Sequence, residues 1–100
     1  MDRIHYLCLI RKKRYLLESM LPQKVLPHLV RSNAITRGAM AYIEKKESLR
    51  LQTVTLLRLL PNCGKNAFES FRKALIAGDQ LHIWHALEAE LKDLALKDGK

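Results

Sequence analysis

Only two cysteines, Cys8 and Cys63, occur in one hundred residues. A disulfide framework needs more than that, and a helical domain of this size can stand on its own core, so both thiols are expected to be free and reduced. No apolar run approaches the ~18 to 20 residues of a membrane span. The N-terminus is interrupted by Asp2, Arg3 and His5, which does not suit a secretory leader, and a soluble, cytoplasmic chain is expected. Acidic side chains are scarce: 10 against 18 Lys and Arg, a net charge of +8. An excess of that sign points to an acidic partner, whether nucleic acid, anionic lipid or protein. The alternation that marks strands is missing throughout. His82 and His85 lie one turn apart, but no carboxylate or cysteine at a suitable spacing completes a metal site. Neither cysteine has a neighbouring base or oxyanion context, so no metal, no cofactor and no catalysis are expected.

What the chain does have is helical periodicity, clearest from Leu56 to Leu75. Leu56, Leu57, Leu59 and Leu60 cover a broad helix face. Pro61 stops that helix and Gly64 permits a backbone conformation other residues resist. Ala67, Phe68, Phe71, Ala74 and Leu75 then restart an apolar stripe, so two core helices meet at a tight corner. Leu56 to Leu60 also fits the Leu-x-x-Leu-Leu pattern of groove-docking helices, but a domain this small needs those leucines for its own core.

In chain order, Ile4, Leu7, Ile10, Leu17 and Leu21 share steps of three or four, which predicts one helix or two bent segments over residues 3 to 20. The tetrad Arg11, Lys12, Lys13 and Arg14 places a bend or break within it, because four consecutive charges cannot all avoid a buried face. Pro22 suits a helix start. Pro27 inside a helix would cost about 3 kcal/mol, which predicts a short second helix beginning near Leu26 and ending near Arg31. Thr36 is placed to cap a third helix that turns Met40 and Ile43 inward. Ser48 caps a fourth over Leu49 to Leu60, and a fifth covers about Lys65 to Ile76. Ala77-Gly78-Asp79 reads as a stop and a new cap, and Ile83, Trp84, Leu87, Leu91 and Leu94 trace the sixth. Lys97 to Lys100 have no apolar partner and should fray, which gives a domain over residues 1–94 and a charged tail over 95–100.

The corner Leu59, Leu60, Pro61, Gly64, Ala67, Phe68, Phe71, Ala74 and Leu75 resembles the fourth-to-fifth helix junction of the caspase recruitment domain, CARD, of the death-fold superfamily. It departs from the family at Cys63, often basic, and at Lys65, often proline. Arg14-x-x-Leu17-x-x-x-Leu21 resembles the family's first-helix signature, and Gly78, Ile83 and Leu87 its closing one. The resemblance covers about residues 3 to 91. It implies an all-α, six-helix antiparallel bundle with a bent or broken first helix.

The resemblance also bears on the basic tetrad, which alone reads as a solvated face, a nuclear-import or nucleic-acid patch, or a protein-docking patch. A nucleic-acid patch calls for interleaved aromatics, and only Tyr15 is near. CARDs that serve as caspase prodomains present a basic face of their first and fourth helices to acidic second and third helices on an adaptor. Arg14 and Arg50 stand where two of those arginines lie. Val54 replaces a further one, so Arg11, Lys13 and Arg58 are candidates to complete the patch. Residues 22 to 43 contain Lys24, Arg31 and Arg37 and no Asp or Glu, so the acidic recipient face is missing. The resemblance thus implies the basic member of an unlike pair. Its partner would be a CARD-containing adaptor with an acidic face, with assembly into a higher-order CARD complex. Because Met1 abuts the domain, the N-terminal prodomain of an initiator caspase is the leading expectation. A basic helical nucleic-acid-binding domain and a stand-alone CARD that blocks others are the alternatives.

Overall fold

The computed structural model describes residues 1–98. Seven α-helices occur among them: α1 (Arg3–Arg11), α2 (Lys13–Ser19), α3 (Leu26–Arg31), α4 (Arg37–Glu44), α5 (Leu49–Leu59), α6 (Ala67–Ala77) and α7 (Leu81–Asp98). Short 3-10 turns at Pro22–Lys24 and Leu60–Asn62 precede α3 and follow α5. The expected first helix is broken inside the basic tetrad, where Lys12 leaves the helical region at φ −97°, ψ 9°. Six helices, the first in two pieces, make the expected bundle.

Local chemistry sets most of the boundaries. Asp2, Thr36 and Ser48 cap α1, α4 and α5, each side-chain oxygen accepting from a backbone N–H one turn in, those of Ile4, Ala39 and Leu51. Pro27 occupies the second position of α3, where its missing N–H has no intrahelical partner to lose. Gly64 has φ 97°, the left-handed conformation that glycine adopts freely. That turn delays α6 to Ala67, two residues later than the periodicity alone suggests.

α6 stops at Ala77, where the Ala77-Gly78-Asp79 stretch predicts it. Its left-handed residue is Asp79, at φ 61°, and the Gln80 and Asp79 N–H groups donate to the Leu75 and Ile76 carbonyls in a Schellman-type closure. Gly78 has another task. A Cβ there would stand 2.5 Å from the Lys24 carbonyl oxygen, so the absence of a side chain lets the α6–α7 corner approach the turn before α3. Asn33, at φ 63°, closes α3 as Asp79 closes α6.

The α5–α6 corner is built as its pattern predicts. Leu56, Leu60, Ala67, Phe68, Phe71, Ala74 and Leu75 are all buried, while Leu57 and Leu59 are half-buried. α6 packs chiefly against α3, α7 and the turn that ends α5; α1 lies along α7, and α2 along α5. The first helix departs from the expected face. Cys8, Leu9, Leu16 and Met20 are buried, whereas Ile10 is 50% exposed and Leu21 36%. Successive steps of three slip behind a period of 3.6, and the break at Lys12 resets the phase, so Leu16 and Met20 replace Leu17 and Leu21 in the core. α7 carries Ile83, Leu87 and Leu94 into the core and continues through the Lys97–Asp93 pair, 3.1 Å, to Asp98. Gly99 and Lys100, half of the stretch expected to fray, lie outside the described residues. No helix among the described residues is long and apolar enough to cross a membrane.

Candidate functional site

The five candidate cations fall on two sides of the break at Lys12. Arg11, the last residue of α1, reaches α7 and stands 3.5 Å from the Glu90 carboxylate. Beside it the Cys8 thiol donates to the Leu87 carbonyl at 3.4 Å. Burial, and to a lesser degree the neighbouring Glu90 carboxylate, pushes that thiol up to about 12, so it stays protonated and inert. Arg11 is thus already engaged within the chain.

Lys13 begins α2 on the other side and turns toward α5. With Tyr6, Leu9 and Ile10 it forms one wall of an open groove of about 480 Å³, whose opposite wall is Val54, Leu57, Arg58 and Pro61. Most of the lining is apolar, and its two cations, Lys13 and Arg58, come from different helices. Half-exposed Tyr6 and Ile10 belong to it, which accounts for Ile10 being outside the core.

Arg50, Val54 and Arg58 follow one another at intervals of four on α5, so they run down one face of that helix. Val54 and Arg58 line the groove, and the stripe therefore leads from the groove to Arg50 in the first turn of α5. Arg14, in the first turn of α2, is exposed like Arg50 and Arg58. Ion pairs form elsewhere on the molecule, Arg11–Glu90, Arg72–Glu69, His85–Glu88 and Lys97–Asp93 among them, but among the described residues none involves Lys13, Arg14, Arg50 or Arg58. α5 itself contains no acidic residue. The groove lining itself, Tyr6, Ile10, Leu57 and Pro61, was not marked by the charge pattern. A solvent-facing Ile and Tyr at four-residue spacing beside the tetrad were the available signal.

The face formed by α3 and α4 is basic as well. Lys24, Arg31 and Arg37 are exposed there, and Tyr42, 56% exposed, carries Lys46 over its ring at 4.2 Å.

A buried amide holds the bundle under these faces. Gln80, 3% exposed, accepts from the Leu21 N–H at 2.7 Å and donates to the Leu21 carbonyl at 3.1 Å, tying the α2–α3 link to the start of α7. Nothing in the sequence pattern marks it, since a Gln before a helix reads as a surface residue. His5 stacks on Phe68 with ring centroids 4.2 Å apart, and Phe68 meets Trp84 edge-on at 6.1 Å. Arg72 lies over the Trp84 ring and pairs with Glu69, whose carboxyl that hydrogen bond holds below the usual range. His82 and His85 are exposed on α7, with His85 Nδ1 3.8 Å from Glu88, and among the described residues no three His, Cys, Asp or Glu gather as a metal would require.

This geometry offers charge complementarity and an apolar groove for a protein surface. Comparison with known proteins gives the family. The sequence model of the caspase recruitment domain matches residues 7–90. The chain is 30% identical over 83 residues to caspase-2 of Gallus gallus, a match that spans 83% of this chain and 20% of that protein. The chain thus covers about a fifth of the length of the relative it matches. A helical bundle with a broken first helix, a Pro-x-x-Gly corner before α6 and a family match over most of its length together make this chain a member of the caspase recruitment domain family, a non-catalytic module of homotypic protein interaction.

Proposed function

We propose that this domain docks through its α2–α5 face onto an acidic surface of a CARD-containing adaptor in the cytoplasm, and so recruits a caspase-like effector into a signalling complex. The observation that carries the reading is the set of four exposed cations on α2 and α5, Lys13, Arg14, Arg50 and Arg58, of which Lys13 and Arg58 line a largely apolar groove and none has an ion-pair partner among the described residues. Arg11 faces α7 beside Glu90 and is left out of this set. The likeness to caspase-2 supports an effector of the caspase kind. The mechanism is concentration: docking brings attached effector regions together until a weak association is populated. Because the α3–α4 face is also basic, repulsion disfavours self-pairing of these two faces and selects an unlike partner.

The test titrates wild type, Arg14→Glu, Arg50→Glu and a control, Lys97→Glu on α7, against three probes. These are an acidic CARD, a duplex oligonucleotide, and a copy of this chain carrying Lys24→Glu, Arg31→Glu and Arg37→Glu, which supplies the acids the α3–α4 face lacks. Docking predicts binding to the acidic CARD and to the altered copy, lost on reversal of Arg14 or Arg50 and retained by Lys97→Glu. Equal weakening by all three substitutions, or tight binding to the duplex alone, would replace this reading with a nucleic-acid-binding one, since phosphate contacts contribute similar shares.

A further inference from the structure

Seven residues of the chain are Ser or Thr, and two of them, Ser48 and Thr53, have a basic residue three positions before them. The fold separates these two. Thr53 is 1% exposed within α5, where no enzyme can reach it. Ser48 is exposed in the link between α4 and α5, with Lys45 and Lys46 at the third and second positions before it and the half-exposed Leu49 after it. Its backbone is extended, at φ −136°, ψ 159°. Two cations just ahead of an accessible hydroxyl in an exposed link suit a kinase whose substrate cleft is acidic, because each Lys finds a carboxylate as the hydroxyl meets the nucleotide.

We propose that Ser48 is a phosphorylation site for a base-directed serine kinase, and that its phosphate switches off the α2–α5 face through Arg50. In the transfer, the Ser48 Oγ gives its proton to the kinase's carboxylate base and attacks the γ-phosphorus of MgATP. The new Oγ–P bond forms as the bond from that phosphorus to the ADP oxygen breaks, leaving phosphoserine, ADP and a proton.

Location decides the consequence. The Ser48 Oγ already accepts from the Leu51 N–H at 3.1 Å, so a phosphate there meets the open N–H groups of a helix start and does not disturb the fold. It also arrives two residues before Arg50. A phosphate carries about −1.5 to −2 at neutral pH and pairs readily with a guanidinium, so it withdraws Arg50 and cancels part of the charge of the four-cation face. This switch rests on the docking reading above; the modification site itself does not.

The test incubates the folded chain with MgATP and a base-directed serine kinase and maps the product by mass spectrometry. One phosphate is expected on Ser48 and none on Thr53, with no incorporation at this position in Ser48→Ala and slowed incorporation in the Lys45→Ala, Lys46→Ala double variant. The phosphorylated chain should keep its helical circular dichroism and its melting temperature. It should bind the Lys24→Glu, Arg31→Glu, Arg37→Glu copy at least tenfold more weakly than the unmodified chain, with binding restored by a phosphatase. No phosphate on Ser48, or incorporation indifferent to both lysines, overturns the site. Equal binding of the two forms overturns the switch. If the unmodified chain binds neither that copy nor an acidic CARD, the docking reading falls and the switch with it, while the mapped phosphate still decides the site.

Discussion

The seam between α1 and α7 and the face shared by α2 and α5 meet at Lys12, yet they treat charge in opposite ways. Along the seam two polar groups find a counterpart within the chain: the Cys8 thiol donates to the Leu87 carbonyl, and Arg11 stands beside the Glu90 carboxylate. On α2 and α5 Lys13, Arg14, Arg50 and Arg58 have no anionic partner among the described residues. The difference comes from where the acids are. Glu88, Glu90, Asp93 and Asp98 lie on α7, four of the chain's ten, while no Asp or Glu occurs from Ser48 to Phe68. The basic face is thus made by absence of acid on α5 as much as by its arginines, and its charge is available to another molecule.

The largest effect should strike both regions at once. Phe71 is fully buried in α6, and Phe71→Ala should lower unfolding free energy by about 3 to 5 kcal/mol in urea titration, a large share of a small domain's stability. Melting within a degree or two of the parent would mean that this side chain is not a support of the core.

Charge reversal should separate the regions. Arg14→Glu or Arg50→Glu should weaken binding to an acidic CARD by about 2 to 5 kcal/mol in calorimetry, because attraction is lost and repulsion gained. Stability should move by no more than about 0.5 kcal/mol, since both side chains are exposed. A comparable loss of stability would show that the face serves the fold.

On the closed side, Gln80→Ala should cost about 1 to 3 kcal/mol, because the Leu21 N–H and carbonyl lose a buried amide. Faster hydrogen exchange at Leu21 than elsewhere in the link would locate the damage.

A smaller effect is alkaline. Burial raises the Cys8 thiol from the ordinary 9.0 to about 12, so the folded chain holds this proton where the unfolded chain releases it. The contribution is complete below pH 9 and is lost as pH rises from 9 toward 12. Relative to Cys8→Ala, wild type should lose about 1 kcal/mol between pH 9 and 10, measured by urea titration at each pH. Parallel stability curves for the two chains would remove the thiol from the seam's accounting.

Smallest of all, Arg11→Gln should cost at most about 1 kcal/mol and leave adaptor binding unchanged within twofold, as expected of a pair that serves the seam. A tenfold loss of binding would move Arg11 onto the docking face and dissolve the contrast between the two regions.

Much of this was legible from residue order. The break within the tetrad, the caps at Thr36 and Ser48, the late start of α3 around Pro27 and the buried stripe from Ala67 to Leu75 are decided within about one helical turn, which is the range over which propensity and capping act. Two features lie beyond that range. Ile10 and Leu21 fall on the predicted apolar face because steps of three look periodic until they drift, and the stop at Gly78 holds, but its lack of a Cβ also serves a neighbour more than 50 positions away.

Residue order by itself therefore determined an all-helical bundle of a recognisable family, with an excess of positive charge and no acid between residues 22 and 43. Only the tertiary structure decided which cation is answered and which is left open. It set Arg11 beside Glu90, Lys13 and Arg58 in the lining of one groove, Gln80 against Leu21 across 59 residues, and Cys8 beneath Leu87 across 79. Periodicity records which face of a helix is buried, whereas the partner of a charge depends on which helix lies alongside, and that is settled by packing the whole core.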